Sequence, residues 1–156
     1  MKALSTAVAL AAACATAQAQ ELTMKEQDGL RWVCGGVGVE ERQALAALEP
    51  QANLKLLLVT EKRGGYLADV GVSLYDAGAR APRLSVVADG PMCLIHAPAG
   101  RYRIEGSSGT VKRSATANVP KESKHPVRVV LSFPGEPWDG VWASDEEKRG
   151  ARETEH

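Results

Sequence analysis

Aromatic side chains are scarce in this chain of 156 residues: three Trp, three Tyr and one Phe make up only 4% of the sequence. A buried core must therefore consist mainly of Val, Leu, Ile and Ala, with Tyr102 and Phe133 as its large members. Long apolar runs are missing too. No segment approaches the roughly 20 apolar residues that a membrane-spanning helix needs, which argues against a permanent membrane anchor.

An excess of positive charge is also missing, because 19 Lys and Arg balance 19 Asp and Glu. Nucleic acids and anionic membrane surfaces are bound by clusters of Lys and Arg. The charge balance therefore argues against both as partners, and we predict no nucleic-acid binding and no integral membrane segment.

Motifs that carry catalysis or hold a cofactor are absent as well. The three histidines, His96, His125 and His156, lie far apart, and none belongs to an H-E-x-x-H or H-x-x-E pattern. A G-x-S-x-G nucleophile motif is missing. The glycine run at 35–38 lacks the spacing of a phosphate-binding loop, which favours a tight turn instead. We therefore predict no catalytic residue, no metal site, no cofactor and no enzymatic activity.

The N-terminus has the anatomy of a secretory signal peptide. Lys2 precedes an apolar run from Ala7 to Ala15, and the small-residue triplet Ala17-Gln18-Ala19 follows that run. We expect residues 1–19 to be a signal peptide that is cleaved after Ala19. The short, alanine-rich signal is typical of bacteria and places the mature protein in the periplasm.

Three cysteines are present, and Cys14 lies within the predicted signal peptide. A lipoprotein signal usually has a large aliphatic residue three positions before its cysteine. Because this chain has Ala11 there, lipidation at Cys14 is the disfavoured alternative. Cys34 and Cys93 remain as an even pair in a compartment that supports disulfides. We favour a bridge between them; two buried thiols acting as small apolar side chains are the alternative.

By composition the chain has three parts after the signal peptide. Residues 20–52 are predicted to form an N-terminal extension that contains one short helix, Val39–Leu48. Residues 53–133 have the composition of a globular domain. Residues 134–156 are rich in Pro, Gly and charge, which predicts a disordered polar tail. Trp138 and Trp142 stand out in that tail, and they either fold back onto the domain or form a partner-binding motif.

Seven short strands are predicted between residues 53 and 133. Asn53–Thr60 is an almost unbroken apolar run, which is consistent with a strand covered on both sides. Leu67–Tyr75 alternates apolar and polar residues, the pattern of a half-buried strand. Seven strands separated by Gly, Pro and polar residues favour an antiparallel sandwich. The other five are Leu84–Ala88, Met92–His96, Tyr102–Gly106, Val111–Val119 and Val127–Phe133.

One stretch carries a family resemblance. Pro98-Ala99-Gly100 precedes Tyr102 and Ile104, and Ser108-Gly109 then opens a hairpin. Together with Leu67–Leu74 upstream, these residues resemble the carboxypeptidase regulatory-like domain, a small β-sandwich of the transthyretin type, over residues 53–133. The resemblance implies a mainly β protein: a seven-stranded antiparallel transthyretin-like β-sandwich with one short N-terminal helix.

The same resemblance implies no reaction, since sandwiches of this type serve as spacers, binding modules and assembly elements. One transthyretin-like enzyme, hydroxyisourate hydrolase, ends in a Tyr-Arg-Gly-Ser motif. This chain ends in Arg-Glu-Thr-Glu-His at 152–156. The difference argues against that activity.

Two roles fit a sandwich without catalytic residues. The first is a non-enzymatic periplasmic protein that acts through contacts with an envelope protein or by self-association. The second is a glycan- or peptide-binding module, for which Tyr66, Tyr75, Arg101 and Arg103 are the candidate ligand-binding residues. Because the two arginines alternate with apolar residues on one strand, a solvated sheet face is their ordinary interpretation.

Overall fold

The part of the chain that the structure describes folds into two β-sheets and one α-helix. The computed structural model describes residues 21–61 and 65–135. Of these residues 53% lie in strands and 12% in helices, which confirms a mainly β chain with one short helix. The helix α1 spans Val39–Leu48, as predicted, and a 3₁₀ turn follows it at Glu49–Gln51.

The strands divide into a larger and a smaller sheet. Sheet A has five strands in the order β1-β2-β6-β3-β9, and sheet B has four in the order β5-β4-β7-β8. In chain order the strands are β1 (Lys25–Gln27), β2 (Leu30–Gly35), β3 (Leu54–Thr60), β4 (Val70–Asp76), β5 (Leu84–Ala88), β6 (Met92–His96), β7 (Gly100–Ser108), β8 (Val111–Val119) and β9 (Val127–Phe133).

The predicted number of seven strands is wrong, because residues 20–52 supply two more. β1 reads Lys-Glu-Gln and is fully exposed, so it has no apolar pattern to reveal it. It pairs with β2 through a two-residue turn in which Asp28 and Gly29 have φ values of 49° and 75°. An Asp-Gly pair with positive φ at both positions is the signature of a type I′ hairpin. Residues 25–35 of the predicted N-terminal extension thus belong to sheet A.

The prediction of an all-antiparallel arrangement is also wrong. β3 and β9 run parallel, with seven residue pairs from Leu54 opposite Val127 to Thr60 opposite Phe133. The preceding strand, β8, belongs to sheet B, so the chain crosses to the other sheet before it forms β9. Such a crossover lets β9 enter sheet A beside β3 in the same direction, which a hairpin connection does not allow.

The two sheets share one hydrophobic core. Alternate residues of the strands other than the exposed β1 point into it, as the period of two requires. Both Tyr102 and Phe133 are buried as predicted. The core carries few aromatic rings and is filled mostly by aliphatic side chains. Its members include Leu30, Leu54, Leu56, Leu58, Val70, Val72, Leu74, Leu84, Ile95, Ile104, Ala117, Val119, Val129 and Leu131.

The predicted bridge between Cys34 and Cys93 is present. The two residues are direct partners in the antiparallel pairing of β2 with β6, and both are buried. The bridge therefore fastens the N-terminal strands to the middle of sheet A. Bridges of this kind persist in oxidising compartments outside the cytoplasm.

Helix α1 covers part of the outer face of sheet A. Its one buried residue, Leu45, packs with Val33 of β2 and Leu94 of β6 in a second, smaller apolar cluster. The Glu41 carboxylate accepts hydrogen bonds from the backbone N–H groups of Gly36 (2.9 Å) and Val37 (3.1 Å) just before the helix. This satisfies donors of the glycine-rich turn, and a carboxylate is favourable near a helix N-terminus.

Tyr102 fixes the corner between β6 and β7. Its ring is buried in the shared core, and its hydroxyl donates a hydrogen bond of 2.6 Å to the carbonyl oxygen of Pro98, four residues earlier. This is the arrangement of a tyrosine corner. Burial raises the pKa of Tyr102 above its usual 10.0; nearby Arg83 opposes the rise and Asp76 adds to it.

We predict that Cys34→Ala/Cys93→Ala lowers the free energy of unfolding by about 2–4 kcal/mol, because the bridge closes a long loop of the unfolded chain. The residues lie 59 positions apart. Urea denaturation of the oxidised mature protein and of the double variant checks this. The reduced wild-type protein should match the variant; a difference below about 1 kcal/mol between oxidised and reduced protein would contradict the expectation.

Tyr102→Phe should cost about 1 kcal/mol at pH 7, because the Pro98 carbonyl loses its hydrogen-bond donor. The folded pKa of Tyr102 is raised, so the wild-type protein loses stability as the pH rises past about 10, where the unfolded phenol ionises first. The variant should show less of that alkaline loss. Urea denaturation from pH 7 to 11 measures both effects, with the exposed Tyr66→Phe as control at pH 7. An unchanged alkaline slope would refute the assignment.

Candidate functional site

The four residues predicted to bind a ligand lie on two different surfaces. Tyr75, Arg101 and Arg103 lie on the outer face of sheet B, where β4 and β7 are neighbours. Tyr66 lies apart from them, beside β3 of sheet A, where it forms an isolated bridge with Val59. The two predicted partner-binding residues of the tail, Trp138 and Trp142, lie outside the described residues.

The outer face of sheet B is polar, and its charges are largely paired with one another. Tyr75 and Arg103 are direct cross-strand partners, and the Arg103 guanidinium carbon lies 4.4 Å from the centre of the Tyr75 ring. Arg103 Nε also lies 3.1 Å from the Glu105 carboxylate, at an angle outside hydrogen-bond geometry. The guanidinium thus has a cation–π partner and a carboxylate within the protein. This fits the solvated-face interpretation.

Small hydroxyl side chains also lie on this face. Ser73 and Ser85, on neighbouring strands, have their oxygens 3.2 Å apart. Ser107 and Ser114 continue the hydroxyl surface on β7 and β8. Hydroxyl groups around one aromatic ring are suited to polar, uncharged ligands such as sugars, although the Tyr75 ring is already half-buried beneath Arg103.

A groove on the outer face of sheet A has a different character. It encloses about 340 Å³ along β3, and we call it the β3 groove. Its lining residues are Glu49, Lys55, Leu57, Tyr66, Met92, His125, Pro126 and Arg128. They come from the 3₁₀ turn, from three strands of sheet A and from the segments before β4 and β9.

The floor and one margin of the β3 groove are apolar. Leu57 is only 8% exposed, whereas Tyr66 beside it is 62% exposed. Val130, the β9 partner of Leu57 across the parallel pair, is 45% exposed. Two of the five large hydrophobic side chains exposed in the described part of the chain therefore border this one surface. Clustered exposed apolar groups mark contact surfaces, whereas single ones do not.

The charged end of the groove is modestly basic. Lys55 Nζ lies 2.7 Å from the Glu49 carboxylate, so these two charges offset one another. Arg128 is the β9 partner of Lys55, and its side chain is exposed. His125 lies at the same end. The groove thus offers an apolar floor, an exposed phenol ring and a guanidinium, a set that suits an apolar or aromatic side chain close to a carboxylate.

A second depression of about 290 Å³ lies where β1 and β2 approach β5. Trp32 and Val87 line it, and Lys25 Nζ sits 4.8 Å from the centre of the Trp32 ring. Three carboxylates, those of Glu21, Glu41 and Asp89, also line it. The lysine charge is engaged with the ring, and the three carboxylates make the lining of this depression acidic overall.

Sequence reasoning found Tyr66 but missed the rest of the groove. The sequence of β9 could have indicated part of it, because Val127, Val129 and Leu131 alternate there with Arg128 and Val130. That alternation assigns Arg128 and Val130 to the outer face. The strand that lies beside them cannot be deduced from the alternation, because Lys55 and Arg128 meet only through the parallel pairing of β3 with β9.

The chain was compared with known proteins, and no protein-family model, curated protein or solved structure matches it. Within residues 21–61 and 65–135, no three His, Cys, Asp or Glu residues are grouped as metal ligands. The same residues contain no helix that is long and apolar enough to span a membrane.

If Tyr66 contributes to a contact surface and not to the fold, Tyr66→Ser should change the free energy of unfolding by less than about 0.5 kcal/mol. Leu57→Ala, in the floor of the same groove, should cost about 2 kcal/mol or more because it removes buried methyl groups. Urea denaturation of the two variants tests the contrast. Equal costs would show that Tyr66 is part of the folded core.

Proposed function

We propose that this protein is a non-enzymatic component of the bacterial cell envelope that binds a segment of another protein in the β3 groove. We further propose that its domain is a transthyretin-like β-sandwich of the carboxypeptidase regulatory-like kind, extended to nine strands by β1 and β2. The exposed Tyr66, seated next to the Leu57 floor and on the same groove as Arg128, carries the proposal.

Several features support the sandwich assignment. Two sheets share one core, and Tyr102 and Ile104 both point into it from β7. The segment from Pro98 to Gly100 forms the corner that the Tyr102 hydroxyl closes. Ser108 ends β7, and Gly109, with φ of 57°, lies in the tight turn to β8. These residues carry the family resemblance, and their positions at a corner, in the core and at a hairpin support a sandwich.

Two features support the proposed periplasmic location. The 1–19 segment has the composition of a secretory signal, and Cys34 and Cys93 form a bridge. A stable bridge in a bacterial protein favours the periplasm over the cytoplasm. A binding role among envelope proteins is consistent with that location.

The chemistry of the groove defines the kind of partner. Tyr and Arg are enriched among the residues that dominate protein interfaces, because each combines a large contact area with a polar group. Leu57 and Met92 offer an apolar surface next to Tyr66. Arg128 adds a donor for a carboxylate. We therefore expect the partner to present an apolar or aromatic side chain with an acidic residue nearby.

The first test compares partner capture by two double variants of the tagged mature protein in periplasmic extract under non-reducing conditions. Tyr66→Ala/Arg128→Ala alters the groove, and Tyr75→Ala/Arg101→Ala alters the outer face of sheet B as a matched control. The groove variant should lose about tenfold or more of the affinity for the captured partner, because truncating interface Tyr and Arg anchors costs more than 1 kcal/mol each. The purified partner is then titrated against each variant.

Equal affinity of both variants for that partner would contradict a role for the groove. Loss of affinity in the control alone would move the contact to sheet B.

Glycan binding at sheet B is the second candidate function, and the hydroxyl surface around Tyr75 favours it. Titration of the same two variants with soluble cell-wall glycan fragments separates the candidates. Binding that is abolished by Tyr75→Ala/Arg101→Ala and kept by the groove variant would support the glycan role.

A further inference from the structure

We propose that the chain's own segment 136–147 occupies the β3 groove when no partner is bound. The segment reads EPWDGVWASDEE and lies just beyond the described residues. This inference rests on the proposed binding role of the groove. It adds an occupant, and it makes the groove a site where an external segment must compete with an internal one.

The described chain ends close to the groove, within reach of the segment that follows. β9 ends at Phe133, and its Ser132 pairs with Val59 of β3, which in turn bridges Tyr66. Two strand spacings, about 10 Å, therefore separate β9 from Tyr66 at this level. Trp138 follows Ser132 by six residues, which span up to about 20 Å when extended. Trp138 can therefore reach the Tyr66 end of the groove.

The length of the groove suits the residues of the segment that follow Trp138. From Val59 back to Lys55, β3 covers about 13 Å, since each strand residue advances about 3.3 Å. A segment that turns at the Tyr66 end and runs back along β3 would place Trp142 above Leu57. The three acidic residues at 145–147 would then lie near Arg128.

The charges of the two parts are complementary. Segment 136–147 carries five acidic and no basic residues, whereas residues 20–135 carry fifteen Lys and Arg and twelve Asp and Glu. The groove itself presents Arg128, with His125 at the same end, while the charge of Lys55 is offset by Glu49. An acidic segment tethered to a domain of net positive charge is attracted to it, and the attraction weakens with added salt.

The apolar groups match as well. The segment contains two of the three tryptophans of the chain. The β3 groove, at about 340 Å³, lies at the lower end of the usual range for ligand pockets and has room for an indole ring. Leu57, Met92 and Tyr66 would supply its apolar surroundings. The segment thus has the chemistry that the groove selects in a partner.

Tethering would make the internal segment an effective competitor. A short linker holds its two ends at an effective concentration in the millimolar range, so even weak docking occupies the site. An external partner must then bind more tightly than it would to an open groove. Release of segment 136–147 would raise the affinity for the partner without any change in the groove.

The test uses the full mature chain and a synthetic peptide of residues 136–147 as probe. Trp138→Ala/Trp142→Ala should free the groove, and Arg152→Ala/Glu153→Ala serves as a tail control that leaves the tryptophans in place. Amide resonances of Leu57, Tyr66, Met92 and Val130 should shift in the first variant and not in the control. The peptide should bind that variant about tenfold more tightly than the wild-type chain, because the internal competitor is gone.

The outcomes separate this inference from the proposed function. Unchanged groove resonances, with equal peptide affinity for both chains, would overturn internal docking. If the partner identified above still depends on Tyr66 and Arg128 in that case, the proposed function stands without it. Peptide binding that survives Lys55→Glu/Arg128→Glu would also overturn the inference, because it would place the segment on another surface.

Discussion

The bridge between Cys34 and Cys93 is the constraint on which the rest of sheet A depends. It joins β2 to β6, the strand that also pairs with β3. Because β2 is fixed there, Val33 and Leu94 form a continuous apolar surface on which Leu45 of the helix packs. The 3₁₀ turn after the helix then places Glu49 in contact with Lys55. The bridge thus reinforces the pairing of β2 with β6, on which the helix and the turn at one end of the β3 groove rest.

Where β8 of sheet B approaches β9 of sheet A, Arg113 protects an exposed strand edge. Its Nε donates a hydrogen bond of 2.9 Å to the carbonyl oxygen of Ser132, and its guanidinium lies 3.1 Å from the Glu61 carboxylate. An unpaired strand edge invites pairing with other chains, and a charged side chain across it prevents that. At this edge of sheet A, Arg113 therefore disfavours pairing with a strand of another chain.

The sequence predicted the helix and the seven strands after it because their apolar patterns are strong and local. β1 was not predicted, because an exposed strand has no apolar pattern. Only the Asp28-Gly29 turn indicates it in the sequence. The cysteine pair was predictable from the number of cysteines, since only Cys34 and Cys93 lie outside the predicted signal peptide. The groove was not predictable, because Lys55 and Arg128 meet through a parallel pairing that no local pattern encodes.

The tyrosines show that one residue type can either stabilise the fold or form part of an exposed surface. Tyr102 is buried, and its hydroxyl satisfies the Pro98 carbonyl, so the fold accounts for it completely. Tyr75 is accounted for by Arg103, which covers its ring. Tyr66 is 62% exposed, and it lines the β3 groove together with the nearly buried Leu57. In a chain with so few aromatic residues, an exposed ring on an apolar groove adds little to folding. A bound segment that covers the ring would bury it, which the fold does not do. For this reason we assign binding to the β3 groove and not to the polar face of sheet B.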